Sequence, residues 1–516
     1  MSGGIDQTEE KARNALFVYA AIVVGALAIA LDFASVDLAL PALEGQFGLD
    51  FESVQWVING YVLAFAVLMV AGGKLADAYG RRKVFLIGMG IFALASLLGG
   101  AAWSGGAVIF FRVLQGTGAA LLWPAMIGMA CDAVGEGRRS VALGLIFGTC
   151  SVGNAAGPLV GGALVEGSSW RWVLWINVPM ALFAILLTLW KVPRDKVGTT
   201  HPRNDYAGMV TLTSGLVALM MVIYQVQSWG WTDPRTIALE VAAVVLLGAF
   251  FIIEQKAPEP LVPPDLMKNR EIQVLCFCVL IICELFFIVL LYYTQYALKF
   301  LGDDPVAAGA RVVQFMLTYG AVSYFGGPLT ARFGTRRLLL LGLVCGTVAT
   351  GLLGYFGPGS SWLAYNGSLV LLGLSVGLVI PTVSARAIET AGAERASLVS
   401  GITFMCQLAG SAFMLAVNTA IFSIISALTM DRLLAQEGVV LTPIQQQAVE
   451  QVMAGAHTLH QMPAQTMSAV AHLSAILNQA YCEGLQVIMW VNGALVLVAL
   501  LLAWRFVPKQ EGKAGG

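Results

Sequence analysis

Fourteen long apolar segments recur along this chain, and they constrain its fold more than any other feature. Each covers roughly 18 or more residues, the length that an α-helix needs to cross about 30 Å of hydrocarbon. They lie at 15–39, 54–73, 84–102, 107–130, 139–164, 173–191, 207–226, 236–253, 272–296, 309–328, 338–356, 362–383, 398–424 and 485–507. Only 11% of the 516 residues are charged, which excludes a soluble enzyme. We predict an all-α polytopic membrane protein with fourteen transmembrane helices.

The cationic residues divide unevenly between alternate loops. Of the 29 Lys and Arg residues, 23 fall in the two termini and the loops on one side, whereas the opposite loops hold five. Because cytoplasmic loops carry the excess of Lys and Arg, we place both termini in the cytoplasm. The expected location is the inner (plasma) membrane of the cell. The net charge of −1 gives no basic field for nucleic acid, so we expect the lipid bilayer and no nucleic-acid partner.

The two ends of the chain contain related sequences. The string GKLADAYG at 73–80 aligns with GPLTARFG at 327–334, and Gly88 then matches Gly342, all at an offset of 254 residues. Six segments at each end therefore form two repeats, and segments seven and eight are an inserted pair. Because an inserted pair preserves the orientation of the later segments, the repeats are parallel, as in alternating-access carriers.

This repeat predicts three regions. They are an N-terminal six-helix bundle at 1–192, the inserted helices with flanking cytoplasmic loops at 193–271, and a C-terminal six-helix bundle at 272–516. The last region includes a long external segment at 425–484, in which residues such as Ile476 and Leu477 predict an amphipathic helix over the outer mouth.

The loop between segments two and three has the strongest local pattern, GKLADAYGRRK at 73–83. Glycine permits a tight turn between helices, an aspartate can cap a neighbouring helix, and the cations can bind anionic headgroups. A plain basic turn would explain the cations alone, but not the glycine and aspartate spacing or its second copy. We predict a gating role for Gly73, Asp77, Gly80, Arg81 and Arg82.

Two charged residues lie inside apolar segments. Ionised Asp32 would cost several kcal/mol in segment one, so it has the character of a group that takes up and releases protons. Arg112 in segment four shares a helix face with Gly116 and Ala120, so it must face the bundle interior. It is either a structural arginine bonded to backbone carbonyls or a partner of Asp32. Asp37 lies nearer the outer surface, and we interpret it as a solvated acid at a helix end.

Segment five contains the string GNAAGPLVGG at 153–162. Gly153, Gly157 and Gly161 recur at every fourth position, so they form a ridge that another helix can approach closely. Pro158 adds a kink, and Gly162 completes the string. The periodicity by itself indicates close helix packing and no function.

Glu284 lies midway along segment nine with no partner on its own helix. It either lines a central cavity, where it would favour cationic substrates, or is protonated and hydrogen-bonded to another helix. Segment thirteen carries a polar stripe of Gln407, Ser411 and Asn418, which either lines the same cavity or joins helices. We treat all four as candidate residues of the substrate cavity.

No metal, cofactor or enzymatic site is expected. The eight cysteines form no CxxC pair. His457, His460 and His472 fall in the external segment, where no thiol or carboxylate set completes a metal site. No Ser/His/Asp or Cys/His arrangement indicates catalysis.

Together these motifs resemble the major facilitator superfamily, and in particular its fourteen-helix drug:H+ antiporters of the multidrug efflux type. The loop at 73–83 is similar to the superfamily signature, from which Ala78 and, in the second copy, Ala331 depart. The string at 153–162 is similar to the antiporter motif of its drug exporters. The string LDFASVDLALP at 31–41 is similar to the first helix of the fourteen-helix family.

The resemblance implies a proton-coupled transporter that exports amphipathic small molecules by alternating-access antiport, with Asp32 and Arg112 in proton coupling. An uptake symporter, or an exporter of one specific metabolite, is the alternative with the same fold. A channel would need a continuous pore and no acid that changes protonation. The expected partners are the substrate and protons, and a periplasmic adaptor is left open.

Overall fold

The computed structural model is built from α-helices and short turns. It describes residues 2–134, 139–194, 205–230, 232–258, 260–301, 303, 305–357, 361–438 and 473–509. The helices are α1 (Ser2–Ser35), α2 (Leu40–Phe47), α3 (Phe51–Tyr79), α4 (Arg81–Gly100), α5 (Gly105–Ala133), α6 (Arg139–Gly167), α7 (Arg171–Trp175), α8 (Asn177–Lys191), α9 (Tyr206–Trp229), α10 (Pro234–Lys256), α11 (Pro264–Lys268), α12 (Arg270–Ile288), α13 (Thr294–Phe300), α14 (Pro305–Phe333), α15 (Thr335–Leu353), α16 (Trp362–Ala391), α17 (Ala396–Met405), α18 (Ser411–Glu437) and α19 (Ser474–Phe506).

Three short segments depart from α geometry inside otherwise continuous spans. A 3₁₀ turn at Val36–Ala39 separates α1 from α2. π-helical turns at Val289–Tyr293 and Cys406–Gly410 connect α12 to α13 and α17 to α18. Such segments are frequent at functional positions of helices.

Thirteen helical segments of the described chain are long and apolar enough to cross a membrane. They correspond to thirteen of the fourteen predicted spans. The remaining predicted span, 309–328, is α14, which carries the polar residues Arg311 and Gln314 and packs between α6 and α16. The prediction of an all-α polytopic membrane protein is confirmed.

Helix pairing is the same at both ends of the chain. In the first six spans α5 packs along α3 and α4, and α1 packs along α6 and α8. In the last six spans α16 packs along α14 and α15, and α12 packs along α18 and α19. The inserted helices α9 and α10 pack on each other, and α9 also contacts α3 and α18. The two predicted repeats with an inserted pair are thus present in the structure.

The halves meet closely at one end of the bundle. We call the end that holds the turns at Gly80, Pro263, Gly334 and Gly392 the cation-rich face, because the Lys- and Arg-rich loops lie there. A Cβ atom on Gly73 of α3 would lie 2.5 Å from the Ser397 carbonyl oxygen of α17.

The second repeat makes the equivalent contact in the opposite direction. A Cβ atom on Gly327 of α14 would lie 2.5 Å from Val141 Cα of α6. Matching glycines therefore bring the backbones of both halves together at the cation-rich face.

The helices on either side of the predicted external segment 425–484 are longer than expected. Helix α18 continues to Glu437, and α19 begins at Ser474, so Ile476 and Leu477 belong to α19, where they are buried. The two extensions are joined because Arg432 Nη2 lies 2.6 Å from Glu483 Oε2. Residues 439–472, which include the three histidines of the segment, lie outside the described residues.

Candidate functional site

Asp32 and Arg112 form a buried ion pair inside the first six-helix bundle. Asp32 lies on α1 and Arg112 on α5, and Arg112 Nη1 donates to Asp32 Oδ2 at 2.6 Å. Their side chains are 0% and 2% exposed. The sequence predicted that each faces the bundle interior, and the structure brings them into direct contact.

Two amides complete the surroundings of the Asp32 carboxylate. Its Oδ1 accepts hydrogen bonds from Gln115 Nε2 at 3.0 Å and from Asn177 Nδ2 at 2.7 Å. Gln115 Oε1 in turn accepts from Arg112 Nη1, and its Nε2 donates to Ser96 Oγ, both at 2.6 Å. A guanidinium and two amides therefore donate to the two oxygens of the Asp32 carboxylate.

Arg112 also has contacts that do not involve the acid. Its Nε donates to the Val57 carbonyl oxygen at 3.0 Å, and its Cζ lies 4.2 Å from the centre of the Tyr61 ring. Gly116 makes this possible, because a Cβ there would collide with the Tyr61 carbonyl oxygen and separate α5 from α3. Both interpretations of Arg112, as a carbonyl-bonded residue and as a partner of Asp32, therefore have a structural counterpart.

The sequence prediction missed four residues of this network: Gln115, Asn177, Ser96 and Tyr61. Gln115 lies three residues after Arg112, and Asn177 is a single amide in a largely apolar span, so both carried a weak signal. Asn177 Oδ1 and Tyr61 OH are buried without a hydrogen-bond partner in the described structure. Burying a polar atom without a partner costs free energy, so this network keeps hydrogen-bonding capacity that the protein itself does not use here.

The glycine ridge of α6 seats α1 on both sides of Asp32. A Cβ on Gly153 would lie 2.7 Å from Ala30 Cβ, and one on Gly161 would lie 2.8 Å from the Ser35 carbonyl oxygen. Gly157 lies between them, and its Cβ would overlap Ala34. The ridge therefore fixes the helix that carries the acid.

Gly162 and Pro158 of that string contribute less to this contact. A Cβ on Gly162 would meet only Leu38, at an ordinary 3.5 Å. Pro158 lies inside α6 with its ring exposed. The close approach of α6 to α1 thus depends on every fourth residue of the string, as the periodicity predicted.

Replacing Gly157 with leucine is expected to block the transport that the resemblance implies, because the side chain would push α1 and Asp32 away from Arg112. Forced overpacking of this kind destabilises by about 1–3 kcal/mol. Gly162→Ala is the matched control, since its methyl group fits the existing space. Drug efflux and thermal unfolding of both variants measure the effect. Wild-type efflux by Gly157→Leu would leave the ridge with a packing role only.

Asp77 joins the two halves at the cation-rich face. It lies near the end of α3, and its carboxylate accepts from the backbone N–H groups of Ser397 at 3.3 Å and Leu398 at 2.8 Å. These N–H groups belong to the first turn of α17, where a helix has unpaired donors and a favourable dipole. The predicted capping of a neighbouring helix by Asp77 thus occurs across the halves.

Arg81 extends this contact from the following helix. It donates to Asp77 Oδ1 at 2.8 and 3.0 Å, to Asp132 Oδ1 at 2.6 Å and to the Ala393 carbonyl oxygen at 2.6 Å. The turn between α3 and α4 requires Gly80, whose φ of +104° disfavours a side chain, and Gly334 in the second copy has a φ of +83°.

The arginines of this loop bond to protein groups, whereas the sequence suggested lipid headgroups. Arg82 Nη2 donates to the Leu189 carbonyl oxygen at 3.2 Å, in the last turn of α8. Carbonyls there have no partner inside their own helix, so a nearby guanidinium satisfies them. Lys74 Nζ similarly donates to the Pro260 carbonyl oxygen at 3.0 Å, which ties α3 to the loop after the inserted helices.

Asp77→Asn is expected to loosen the cation-rich face, because it removes the ion pair with Arg81 and weakens the cap on α17. We expect a loss of about 1–3 kcal/mol in stability and faster maleimide labelling of Cys131, which is 2% exposed beside this contact. Asp132→Asn is the matched control, since the Asp132 side chain is 58% exposed and such pairs contribute little. Peptide mass spectrometry reads the labelling. Equal labelling in both variants would contradict a gating role for Asp77.

Glu284 has an amide partner in the second bundle. Its side chain is fully buried, and Oε1 accepts from Asn418 Nδ2 of α18 at 2.6 Å. Asn492 Nδ2 of α19 donates to Asn418 Oδ1 at 2.9 Å, which extends the chain of amides. Glu284 Oε2 has no hydrogen-bond partner in the described structure. The sequence left Glu284 either as a lining residue of a cavity or as an acid hydrogen-bonded to another helix. This conformation contains the hydrogen bond to another helix.

The rest of the polar stripe joins the same two helices. Ser411 Oγ lies 3.3 Å from the Leu280 carbonyl oxygen of α12 and also donates to the Gln407 carbonyl oxygen. Gln407 is half-buried in the π-helical turn. A role of these residues in substrate binding stays a prediction.

An aromatic cluster connects the halves above the Asp77 contact. The ring centres of Trp123 of α5 and Phe404 of α17 lie 4.4 Å apart with the rings tilted by 41°, and the Phe65 ring centre lies 5.5 Å from that of Phe404. Phe147 of α6 packs on the other side of Trp123. These rings form a largely buried apolar contact between the two halves.

Comparison with known proteins identifies related transporters. The model of the Major Facilitator Superfamily matches residues 22–415. The chain is 30% identical to the tetracenomycin C resistance and export protein of Streptomyces glaucescens, over 95% of this chain and 91% of that protein. It is 33% identical to a puromycin resistance protein of Streptomyces alboniger, over 77% of this chain and 80% of that protein.

The fold is also similar to a solved structure at low sequence identity. The crystal structure of the human organic anion transporter MFSD10 superposes with a TM-score of 0.60 at 14% identity, covering 96% of this chain and 99% of that chain. This likeness shows a shared helical architecture.

Proposed function

The chain belongs to the major facilitator superfamily of membrane transporters, and on that basis we propose that it exports amphipathic small molecules in exchange for protons. The relatives are named for resistance to antibiotics and their export, which supports drug efflux. The single observation that carries the proton coupling is the buried Asp32–Arg112 pair, because an acid at that position can be neutralised by a proton as well as by the guanidinium.

In the proposed cycle, the conformation described here is closed at the cytoplasmic side. The cation-rich face is the cytoplasmic face by the distribution of Lys and Arg, and Asp77 and the matching glycines Gly73 and Gly327 close it. Both termini would then be cytoplasmic in the inner membrane of a bacterium. The halves 1–192 and 272–516 would rock about the aromatic cluster, with 193–271 as the inserted pair.

Asp32 and Arg112 would couple this motion to protons. A proton that enters from the external side neutralises Asp32 and breaks its ion pair. Arg112 then still has Gln115 and the Val57 carbonyl as hydrogen-bond acceptors. α1 is then free to move against α5, and the proton leaves on the cytoplasmic side when Arg112 returns.

Transport by everted membrane vesicles tests the proposal. Vesicles from cells with and without the protein are energised, and uptake is measured for a panel that includes tetracenomycin C and puromycin, with a protonophore as control. We expect gradient-dependent uptake of at least one compound, together with alkalinisation of the vesicle interior. Gradient-driven uptake by energised right-side-out vesicles, without uptake by everted ones, would indicate a symporter instead. Flux that ignores the protonophore would contradict proton coupling.

A further inference from the structure

A second buried acid lies in the first helix of the C-terminal repeat, as Asp32 lies in the first helix of the N-terminal repeat. Glu284 follows Asp32 by 252 residues, two fewer than the offset of 254 that relates the glycine motifs, so the acids share a depth in the bundle and face different neighbouring helices. Each acid lies deep in the first helix of its repeat, and each is followed within two turns by a segment without α geometry, at Val36–Ala39 or Val289–Tyr293.

The amide partners show the same correspondence. Asn177, which donates to Asp32, lies 14 residues before the end of α8 at Lys191. Asn492 lies 14 residues before the end of α19 at Phe506, and it reaches Glu284 through Asn418. The last helix of each repeat therefore has an asparagine that is linked by hydrogen bonds to the acid of the first helix, directly for Asp32 and through Asn418 for Glu284.

The two acids differ in charge compensation. Asp32 has a guanidinium and two amides, whereas Glu284 has one amide at Oε1 and no cation within ion-pair distance among the described residues. An isolated carboxylate in a buried apolar site costs several kcal/mol, and it becomes protonated instead.

No charged group on the surrounding helices, within the described part of the chain, compensates Glu284. On the neighbouring helices, Arg386 of α16 pairs with Glu271 at 2.6 Å near the cation-rich face, and Arg432 of α18 pairs with Glu483 near the opposite face. Helix α17 carries no charged residue, and Arg505 lies in the last turn of α19. The remaining titratable neighbours are Cys283 and Tyr292 of its own span, which are uncharged in their protonated forms.

We infer that Glu284 is a second proton-binding site and that the transporter carries two protons per cycle, one in each repeat. In the present conformation Glu284 holds its proton, whereas Asp32 is paired with Arg112. Glu284 would release the proton to the cytoplasmic side when movement of α12 against α18 replaces the Asn418 contact with water. This inference rests on the proposed antiport and adds its stoichiometry.

Infrared spectroscopy of the purified full-length protein tests the protonation state without any ligand. Wild-type protein and Asp32→Asn should both show the carbonyl band of a buried protonated carboxyl at neutral pH, and Glu284→Gln should lack it. Glutamine can still accept from Asn418, so the helix contact and fold are kept. A band of unchanged intensity in Glu284→Gln would overturn the assignment.

The number of protons per substrate tests the coupling. The test uses a compound from the panel above that the wild type exports. In proteoliposomes, the substrate gradient at which net flux reverses is measured for a series of imposed pH gradients, and this gives the number of protons per substrate. We expect a ratio of two in wild type, one in Glu284→Gln, and recovery towards two in Glu284→Asp. A wild-type ratio of one that Glu284→Gln leaves unchanged would refute the second site while keeping the antiport. Absence of proton-driven flux in wild type would instead refute the proposed function.

Discussion

Asp32→Asn is expected to reduce gradient-driven transport to the level of vesicles without the protein. Asparagine cannot exchange a proton, so the variant is fixed in the neutral state of the acid. Arg112 keeps the Val57 carbonyl and Gln115 as acceptors, so the variant should fold and bind substrate. Uptake by energised vesicles, and substrate binding by the purified protein, measure the two properties separately.

Asp37→Asn is the matched control for this change. Asp37 lies five residues later in the same span, in the 3₁₀ turn, with an exposed side chain. Removal of its charge should leave most transport intact. Full gradient-driven transport by Asp32→Asn, or equal losses in both variants, would show that Asp32 is not the coupling acid.

Arg112→Ala is expected to be the most destabilising single change in the first bundle. It leaves the Asp32 carboxylate buried without its cation, which costs about 3–5 kcal/mol, and it also removes the contact with Tyr61. Arg112→Lys loses the planar group that reaches Val57, Gln115 and Asp32 together. Because it keeps the positive charge, it should be impaired less than Arg112→Ala. Thermal unfolding and proton-driven uptake of both variants provide the comparison.

A double variant separates the ion pair from the other contacts of Arg112. If the pair carries most of the effect, Asp32→Asn combined with Arg112→Gln should be more stable than the sum of the single losses predicts. Additive losses, with equal transport by Arg112→Lys and Arg112→Ala, would reduce Arg112 to a structural residue.

The span positions and the repeat could be predicted from sequence because both depend on local properties. Apolar length identifies a helix that crosses the bilayer, and a shared offset of glycines identifies a repeat. Asp32 and Arg112 could be placed inside the bundle for a similar reason. A charged side chain is too costly to face lipid, and this holds without knowing which residue is its partner. Polar residues on α14 weakened the signal of that span, which nevertheless forms one helix between α6 and α16.

The partners of these residues could not be predicted, because they depend on which helices become neighbours. Asn177 is 145 residues from Asp32, and Asn418 is 134 residues from Glu284. An amide in an apolar segment is tolerated at many positions, so its sequence does not indicate a partner. The contacts of Arg81 and Arg82 were missed for a related reason: loop cations also satisfy the general bias towards the cytoplasmic side, which says nothing about carbonyls nearby.

The two π-helical turns imply that the halves differ in stiffness. Both lie in the C-terminal bundle, at Val289–Tyr293 and Cys406–Gly410, and no such turn occurs in the described helices of the first bundle. A π turn holds one surplus residue, and its migration by one position turns the residue that it passes by about 100° around the helix axis. While its ion pair is intact, the N-terminal half would behave as a rigid body, because that pair and the glycine contacts hold α1 in place. The C-terminal half would instead change the conformation of its own helices when the two halves rock.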